Sequence, residues 1–427
     1  MATYETIHTQ LESASVRAQL SELYGSLPST VDAQVKRYQK VLQRHENLFH
    51  TQRDVSLISA PGRMEIGGNH TDHNHGLVLA ASASLDTLCA VSPRDDMVVE
   101  LRSEGYPAIT VNLAHLEAVP SEEGTTTALI RGVAARMKEK GFRIGGFEAT
   151  VQSTVVSGSG LSSSAAFEVM TVAIFDHLYN QGNMDFKLAA QISQYAENQY
   201  FGKPSGLLDQ MASAAGGLVG VDFADADPKV EPMHFDFSDK GYQIVVVNTH
   251  GSHADLTPDY AAIPKEMKQV AGFFGKSFLR DVDEKAFTDG IADMRGKVPD
   301  RAILRAIHFY QENHRVTAQK EALRRGDIQA FFDAIIASGR SSFMYLQNVY
   351  ARVNKQELSL ALALAEEMLQ GKGAWRVHGG GFAGTTLNFV PDSLLDTFTE
   401  TMNAVFGKDS CYVLKIRPRG AVKLTMA

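Results

Sequence analysis

Cysteine is nearly absent from this 427-residue chain, which holds only Cys89 and Cys411. Two thiols in so long a sequence support neither a disulfide framework nor a cysteine metal site, and such scarcity fits a protein kept in a reducing cytoplasm. Long apolar runs are missing as well. No stretch reaches the roughly 18 residues of a membrane span, and no apolar segment follows Met1 to serve as a secretory leader. There is no excess of positive charge either. The 41 Lys and Arg face 49 Asp and Glu, a net charge of −8, which leaves no basic stripe to neutralise nucleic-acid phosphates. Internal repeats and low-complexity tracts are also lacking.

What is present is core-forming material: 44% hydrophobic and 21% charged residues, the balance of an ordinary folded protein. The length exceeds that of most single domains, so two domains or one two-lobed unit are expected. Residues 1–50 carry a weak helical periodicity in Leu11, Val16, Leu20 and Leu23, then Val35, Tyr38 and Leu42, and read as an appended helical arm without chemistry of its own. Beyond it, strand-like stretches (77–83, 88–91, 97–101, 147–156) alternate with helical ones (126–138, 187–200). Short apolar runs at 218–223 and Tyr242–Asn248 read as buried strands. Helices are expected at 260–274, 301–325, 328–347 and 357–370, and strands at 385–390 and 411–416. The pattern alone gives a mixed α and β chain in two lobes, divided as 51–225 and 226–427.

Three glycine-rich segments carry the chemistry. The central one runs Val155-Val156-Ser157-Gly158-Ser159-Gly160-Leu161-Ser162-Ser163-Ser164-Ala165-Ala166. Glycines let the backbone close on a phosphate and aim successive N–H groups at it. The helix that follows, with Phe167, Met170, Ile174 and Leu178 on one face, opens its N-terminus at the serines, where orphan amides favour an anion. A flexible linker is the plain alternative. The second segment, Ala60 to Gly76, packs Arg63, Asn69, His70, Asp72, His73 and His75 into a glycine-punctuated turn, a supply of fixed hydrogen bonds for a hydroxyl-rich ligand. The third, His378-Gly379-Gly380-Gly381-Phe382-Ala383-Gly384, suits close approach of main chain to a ligand or another loop.

In this order and spacing the three segments resemble the signatures of the galactokinase family, within the superfamily that also contains homoserine and mevalonate kinases, from about Ser56 to the end. The family's first pattern, G-R-[VI]-N-L-I-G-E-H-T-D-Y-N-G-G, meets G-R-M-E-I-G-G-N-H-T-D-H-N-H-G here. The central G-x-G-L-S-S-S-A is matched in full, and the last, G-G-G-F-G-G, except at Ala383. The resemblance implies an α+β, two-lobed fold with the active site in the cleft between lobes. It also implies an ATP-dependent kinase acting on the anomeric hydroxyl of a galactose-like sugar with Mg2+, cytoplasmic and expected to be a monomer.

It further implies site residues. ATP phosphates fall to Gly158, Ser159, Gly160, Leu161, Ser162, Ser163, Ser164 and Ala165, and the metal to Ser163 or Ser164 with Glu197. Glu197 alone would read as a solvated helix carboxylate; what singles it out is the match to A-E-x-x-x-x-G-x-P-x-G-x-x-D-Q, which ends in Asp209-Gln210. Asp209, in an apolar segment, is either a helix cap or the base for the sugar hydroxyl, with Arg63 beside it to hold it ionised and to stabilise the transferred phosphoryl group. Asn69, His70, Asp72, Gly206 and Tyr260 are expected around the sugar. Asn69 stands where the family has a glutamate that binds the C6 hydroxyl. Either Glu65 supplies the displaced carboxylate, or the neutral amide admits a C6-modified or otherwise altered sugar such as galacturonate, N-acetylgalactosamine or arabinose. A catalytically silent sugar and ATP sensor is the rival from another class; the intact Ser164-Ala165 and Asp209 speak against it.

Overall fold

The structure is a computed structural model and describes residues 4–50, 53–155, 160–252 and 256–426. Three helices, α1 (Tyr4–Gln10), α2 (Ala14–Tyr24) and α3 (Pro28–Phe49), form the expected arm. Ser13 caps α2 by accepting from the Val16 amide, and Pro28 opens α3, where a missing N–H costs nothing. The periodic residues Leu11, Val16, Leu20, Val35, Tyr38 and Leu42 are buried against Leu57, Leu88, Ala90 and Leu424. A buried carboxylate fastens the arm. Asp86 takes the Tyr24 hydroxyl, Arg417 Nη1 at 2.9 Å and Arg37 Nη1 at 2.6 Å.

The first sheet comprises β1 (Ser56–Gly67), β2 (Leu77–Pro93), β3 (Val98–Ser103), β4 (Ile109–Asn112), β5 (Phe147–Ser153), β6 (Leu218–Asp222), β7 (Lys229–Met233) and β12 (Val422–Lys423), with α4 (Thr126–Glu139), α5 (Ser163–Tyr179), α6 (Phe186–Ala196) and α7 (Leu208–Ala215) connecting its parts. Its main order is β12-β1-β2-β5-β3-β4, all antiparallel except β3 with β5. The 17-residue β2 pairs with β6 through Leu77–Ala81 and with β5 through Thr87–Pro93. The second sheet, β11-β8-β10-β9, contains β8 (Tyr242–Asn248), β9 (Ala374–His378), β10 (Thr385–Pro391) and β11 (Cys411–Leu414). Helices α8 (Thr257–Phe273), α9 (Glu284–Asp289), α10 (Ile291–Met294), α11 (Asp300–Arg325), α12 (Ile328–Ser341), α13 (Glu357–Leu369) and α14 (Leu395–Phe406) complete the second lobe.

The lobes share a core. Met64, Ile66 and Leu79 of the first sheet pack with Ile244, Val246, Phe331 and Phe389 of the second lobe, so the cleft is floored by one continuous apolar body. The first sheet also runs past residue 225, where the first lobe was expected to end, because β7 hairpins onto β6 and the chain's last residues return to pair with β1.

Three local expectations are corrected. Residues 60–67 form strand, not turn: β1 stays paired with β2 up to Gly67, and its polar side chains find partners, Arg63 in Asp209 of α7 and Glu65 in Arg376 of β9. The two short strands expected at 77–83 and 88–91 are one: β2 runs through Ser84-Leu85-Asp86 across a register shift against β1, pairing with it again at Asp86 and Thr87. The helices expected to reach 200 and 347 change hydrogen-bonding pattern early, passing into five-residue π-turns at Glu197–Phe201 and Ser342–Leu346. Such turns rotate the side chains that follow and are common at functional sites.

Candidate active site

Two register shifts in β1, at Pro61/Arg63 and Glu65/Gly67, turn Arg63 and Glu65 out of regular pleating toward the cleft. The Arg63 amide donates to Leu161 O at 2.9 Å, stitching the strand to the exit of the central loop. Its guanidinium grips Asp209 with two bonds, Nε to Oδ1 at 2.6 Å and Nη2 to Oδ2 at 3.0 Å, while Nη1 donates to Gly160 O. The Ser162 hydroxyl donates to Asp209 Oδ2 at 2.7 Å. Burial alone would raise the Asp209 pKa; the Arg63 charge and these hydrogen bonds outweigh it and bring it to about 2, so the carboxylate is ionised at neutral pH. The capping alternative for Asp209 finds no support. Leu207 is the N-cap of α7, no side chain caps that helix, and Asp209 sits in its first turn facing Arg63.

Ser162 starts α5 with a left-handed backbone (φ 55°) and makes no side-chain cap, its hydroxyl being committed to Asp209. The first-turn amides of α5 therefore lack a side-chain cap and face the loop, the arrangement an anion uses. Leu161 and Ala165 are wholly buried and can offer a ligand backbone only. Gly160 has φ +68°, and a Cβ there would collide with the Thr385 hydroxyl, so this glycine lets the central loop lie on β10. Gly158 and Ser159 lie outside the described residues.

On the other side of the loop the Ser164 hydroxyl donates to Glu197 Oε1 at 3.1 Å. Glu197 is no solvated helix residue: it is 1% exposed, its Oε1 also takes Lys203 Nζ at 2.9 Å, and its Oε2 takes Ser205 Oγ at 2.5 Å and Gln210 Nε2 at 2.8 Å. The Gln210 amide donates as well to Glu168 Oε2 at 3.0 Å. Burial, then the nearby Glu197, push the Glu168 carboxyl well above the usual carboxylate range. Ser163 lies at the N-terminus of α5 beside these groups.

The third region is the turn after β1. Asn69 is fully buried and its amide is saturated: Nδ2 donates to Glu65 Oε1 and Gly379 O, both at 2.8 Å, and Oδ1 accepts from Ser342 Oγ at 3.0 Å and Asn348 Nδ2 at 2.9 Å. No amide atom is left for a ligand, which corrects the expectation of an Asn69 contact for this conformation. Glu65 Oε1 is held in addition by Arg376 Nη2 at 2.7 Å; burial nevertheless pushes the Glu65 carboxyl up to about 7 against the Arg376 charge. His70 reaches Gly380 O at 2.9 Å through Nε2, while its buried Nδ1 has no hydrogen-bond partner among the described residues; burial drops its pKa to about 3, so the ring is neutral. Asp72 accepts from the His73 amide at 3.0 Å, and a Cβ on Gly206 would collide with the Asp72 carboxylate, so Asp72 and the loop before α7 touch only because residue 206 is glycine. Tyr260 donates to Gly381 O at 2.7 Å and meets the Phe382 ring edge-on.

Thus Arg63, Asp209, Ser162, Ser164 and Glu197 converge on the central loop, and Asp72, Gly206, His70 and Tyr260 gather where the turn after β1 meets the triglycine segment. Reading the sequence missed the supporting residues. Glu312 holds the Gly68 amide (3.0 Å) and Arg315 (2.6 Å), His308 holds Asn69 O at 2.9 Å, and His378 accepts from the Glu65 amide at 3.1 Å. The last could have been sought, since His378 opens the triglycine motif. Glu312 and His308 lie in an unremarkable helical pattern and gave no signal.

Comparison with known proteins agrees with this geometry. Residues 128–217 match the model of the GHMP kinases N-terminal domain, and residues 43–93 match the galactokinase galactose-binding signature. A galactokinase of Streptomyces coelicolor is 32% identical over 351 residues, covering 82% of this chain and 88% of that protein. The structure resembles a Lactococcus lactis galactokinase solved with galactose, with a TM-score of 0.79, 26% identity and coverage of 90% of this chain and 98% of that one. A mevalonate kinase from Methanococcus jannaschii shares the fold alone, with a TM-score of 0.61 at 12% identity, covering 86% of this chain and 99% of that one.

Proposed function

Because the chain belongs to the galactokinase family of GHMP kinases, we propose that it transfers the γ-phosphoryl group of ATP to the anomeric hydroxyl of galactose. The observation that carries this reading is the Arg63–Asp209–Ser162 constellation at the exit of the central loop, an ionised, partly exposed carboxylate aimed where a sugar hydroxyl and a phosphate would meet. Asp209 binds the attacking hydroxyl and takes its proton. With a pKa held to about 2, it orients the nucleophile first and accepts the proton late, which suits a loose transition state in which little base strength is required. Arg63, anchored to Asp209 and Gly160 O, keeps that carboxylate ionised and lies beside the phosphoryl path.

Mg2+ fits the oxygen donors present. Ser164 Oγ and Glu197 Oε1 are 3.1 Å apart, close enough to share one coordination shell, and a hydroxyl with one carboxylate suits a small hard cation that keeps waters and takes phosphate oxygens. When bound, Mg2+ neutralises charge on the phosphates. Ser163 is the neighbouring candidate hydroxyl. Asp72, His70, Gly206 and Tyr260 are assigned to the sugar hydroxyls. A reducing, intracellular setting is supported by two free cysteines, one of them buried. Among the described residues no helix is long and apolar enough to cross a membrane.

Galactose is preferred over altered analogues because the segment 43–93, within which Glu65 and Asn69 lie, matches the galactose-binding signature as a whole. The test is a coupled kinase assay with ATP and magnesium against galactose, galacturonate, N-acetylgalactosamine and arabinose. Turnover of galactose with the highest kcat/KM supports the reading; turnover of none of the four returns the chain to the sensor alternative.

A further inference from the structure

Phosphoryl transfer concentrates negative charge, yet the central loop contains no Lys or Arg between Val155 and Ala166. Arg63 is the nearest guanidinium, and its Nε, Nη1 and Nη2 are each already bonded, to Asp209 and Gly160 O. Lys203 is the other cation beside these groups. It stands at a position that the A-E-x-x-x-x-G-x-P-x-G-x-x-D-Q pattern leaves open, and its ammonium donates at 2.9 Å to the same Glu197 oxygen that accepts the Ser164 hydroxyl.

A divalent ion on that oxygen affects the two donors differently. A hydroxyl has lone pairs, so Ser164 can turn from donor on Glu197 to ligand of the metal. An ammonium has none and cannot share an oxygen shell with a divalent cation without like-charge repulsion. A metal on that oxygen therefore favours release of Lys203 from Glu197. Its backbone cannot follow: the Lys203 amide is tied to Glu197 O at 3.1 Å, and the next residues are pinned through Ser205, whose amide donates to Asn198 Oδ1 at 2.8 Å. Its side chain can, being 56% exposed on a four-carbon stem. The loop expected to hold the phosphates is adjacent, since Ser164 of that loop bonds the same Glu197 oxygen.

We propose that Lys203 is a phosphate-binding residue of the loaded site, held on Glu197 in the empty enzyme and exchanged for the divalent cation on binding. The inference rests on the kinase reading above, but its test reads binding rather than turnover, so either can fail alone. Mn2+ affinity of the nucleotide-free protein is measured by electron paramagnetic resonance, and ATP and AMP affinities by calorimetry, for the parent, Lys203→Met and Lys203→Arg. The expected result is that Lys203→Met binds Mn2+ several-fold tighter, having lost its competitor, and ATP about tenfold more weakly, with AMP unchanged. Lys203→Arg should bind ATP within about threefold of the parent, since it keeps the charge. Undiminished ATP affinity in Lys203→Met would overturn the proposal, because a lysine that stays on Glu197 contributes nothing to the triphosphate. So would an equal loss of ATP and AMP affinity, the mark of a damaged fold, or unchanged Mn2+ affinity.

Discussion

Asn69 and Glu65 stand four positions apart at the end of β1 and bind each other, Nδ2 to Oε1 at 2.8 Å. The family pattern carries the same two residue types in reverse order, so this chain keeps an amide and a carboxylate side by side but exchanges their places. The consequence is a buried lock between lobes. Arg376 of β9 holds the carboxylate, and Ser342 and Asn348, at the π-turn that follows α12, hold the amide.

Restoring the family residue at one position alone should therefore break the lock. In Asn69→Glu a second carboxyl group would face Glu65 Oε1 and Gly379 O, both of which accept from the Asn69 amide in the parent. Thermal unfolding should report a loss of about 3 kcal/mol or more, the usual cost of a buried unpaired charge. Adding Glu65→Asn to that variant should recover part of it. An Asn69→Glu protein as stable as the parent would show that the network is not closed in solution.

Glu65 also predicts a pH dependence. Its folded-state pKa of about 7 lies above the ordinary 4.5, so between these values the folded protein holds a proton that the unfolded chain releases. Its contribution to stability is full below pH 4.5 and is lost as the pH rises through 7. In Glu65→Gln this slope should vanish. The check is the difference in denaturation midpoint between the two proteins across pH 4.5 to 7, and parallel curves would refute the assignment.

Asp209→Asn keeps the shape of the site but removes the proton acceptor and the partner of Arg63. Turnover should fall about a hundredfold or more while nucleotide affinity changes little, measured by steady-state kinetics and calorimetry together. Near-parent turnover would transfer the role of base elsewhere.

Glu197→Gln and Ser164→Ala each remove one candidate metal donor. Activity of both should fall and recover in part as magnesium is raised, because a lost ligand lowers affinity before it alters geometry. A deficit indifferent to magnesium would assign Glu197 to the packing of Lys203, Ser205 and Gln210 instead.

Beneath the arm, Asp86→Asn should destabilise the protein by about 3 to 5 kcal/mol. Arg417, fully buried, would lose its carboxylate, and Tyr24 and Arg37 would release the arm from β2. Urea denaturation measures the loss, and a change within experimental error would mean that apolar contacts alone seat α1 to α3.

Local signals settled much of this protein. Glycines and serines followed by a 3.6-residue apolar period located the central loop and α5, because a phosphate loop requires its backbone freedom and its helix N-terminus next to each other in the chain. Glu197 was legible only through motif spacing, since nothing beside it separates it from a surface carboxylate, whereas Asp209 also stood out as a carboxylate in an apolar segment. What tertiary structure alone decided is which polar groups consume one another. Asn69 looked like a ligand contact because it stands in a dense polar segment where the family pattern has a sugar-binding glutamate, and only its bonds to Glu65, Ser342, Asn348 and Gly379 in the fold saturate it. Lys203 carried no signal in the sequence; the π-turn at Glu197 sets its ammonium on the carboxylate oxygen that also accepts the Ser164 hydroxyl. Hydrogen-bond demand is written residue by residue, but its satisfaction depends on distances that exist only once the lobes have closed on their shared core.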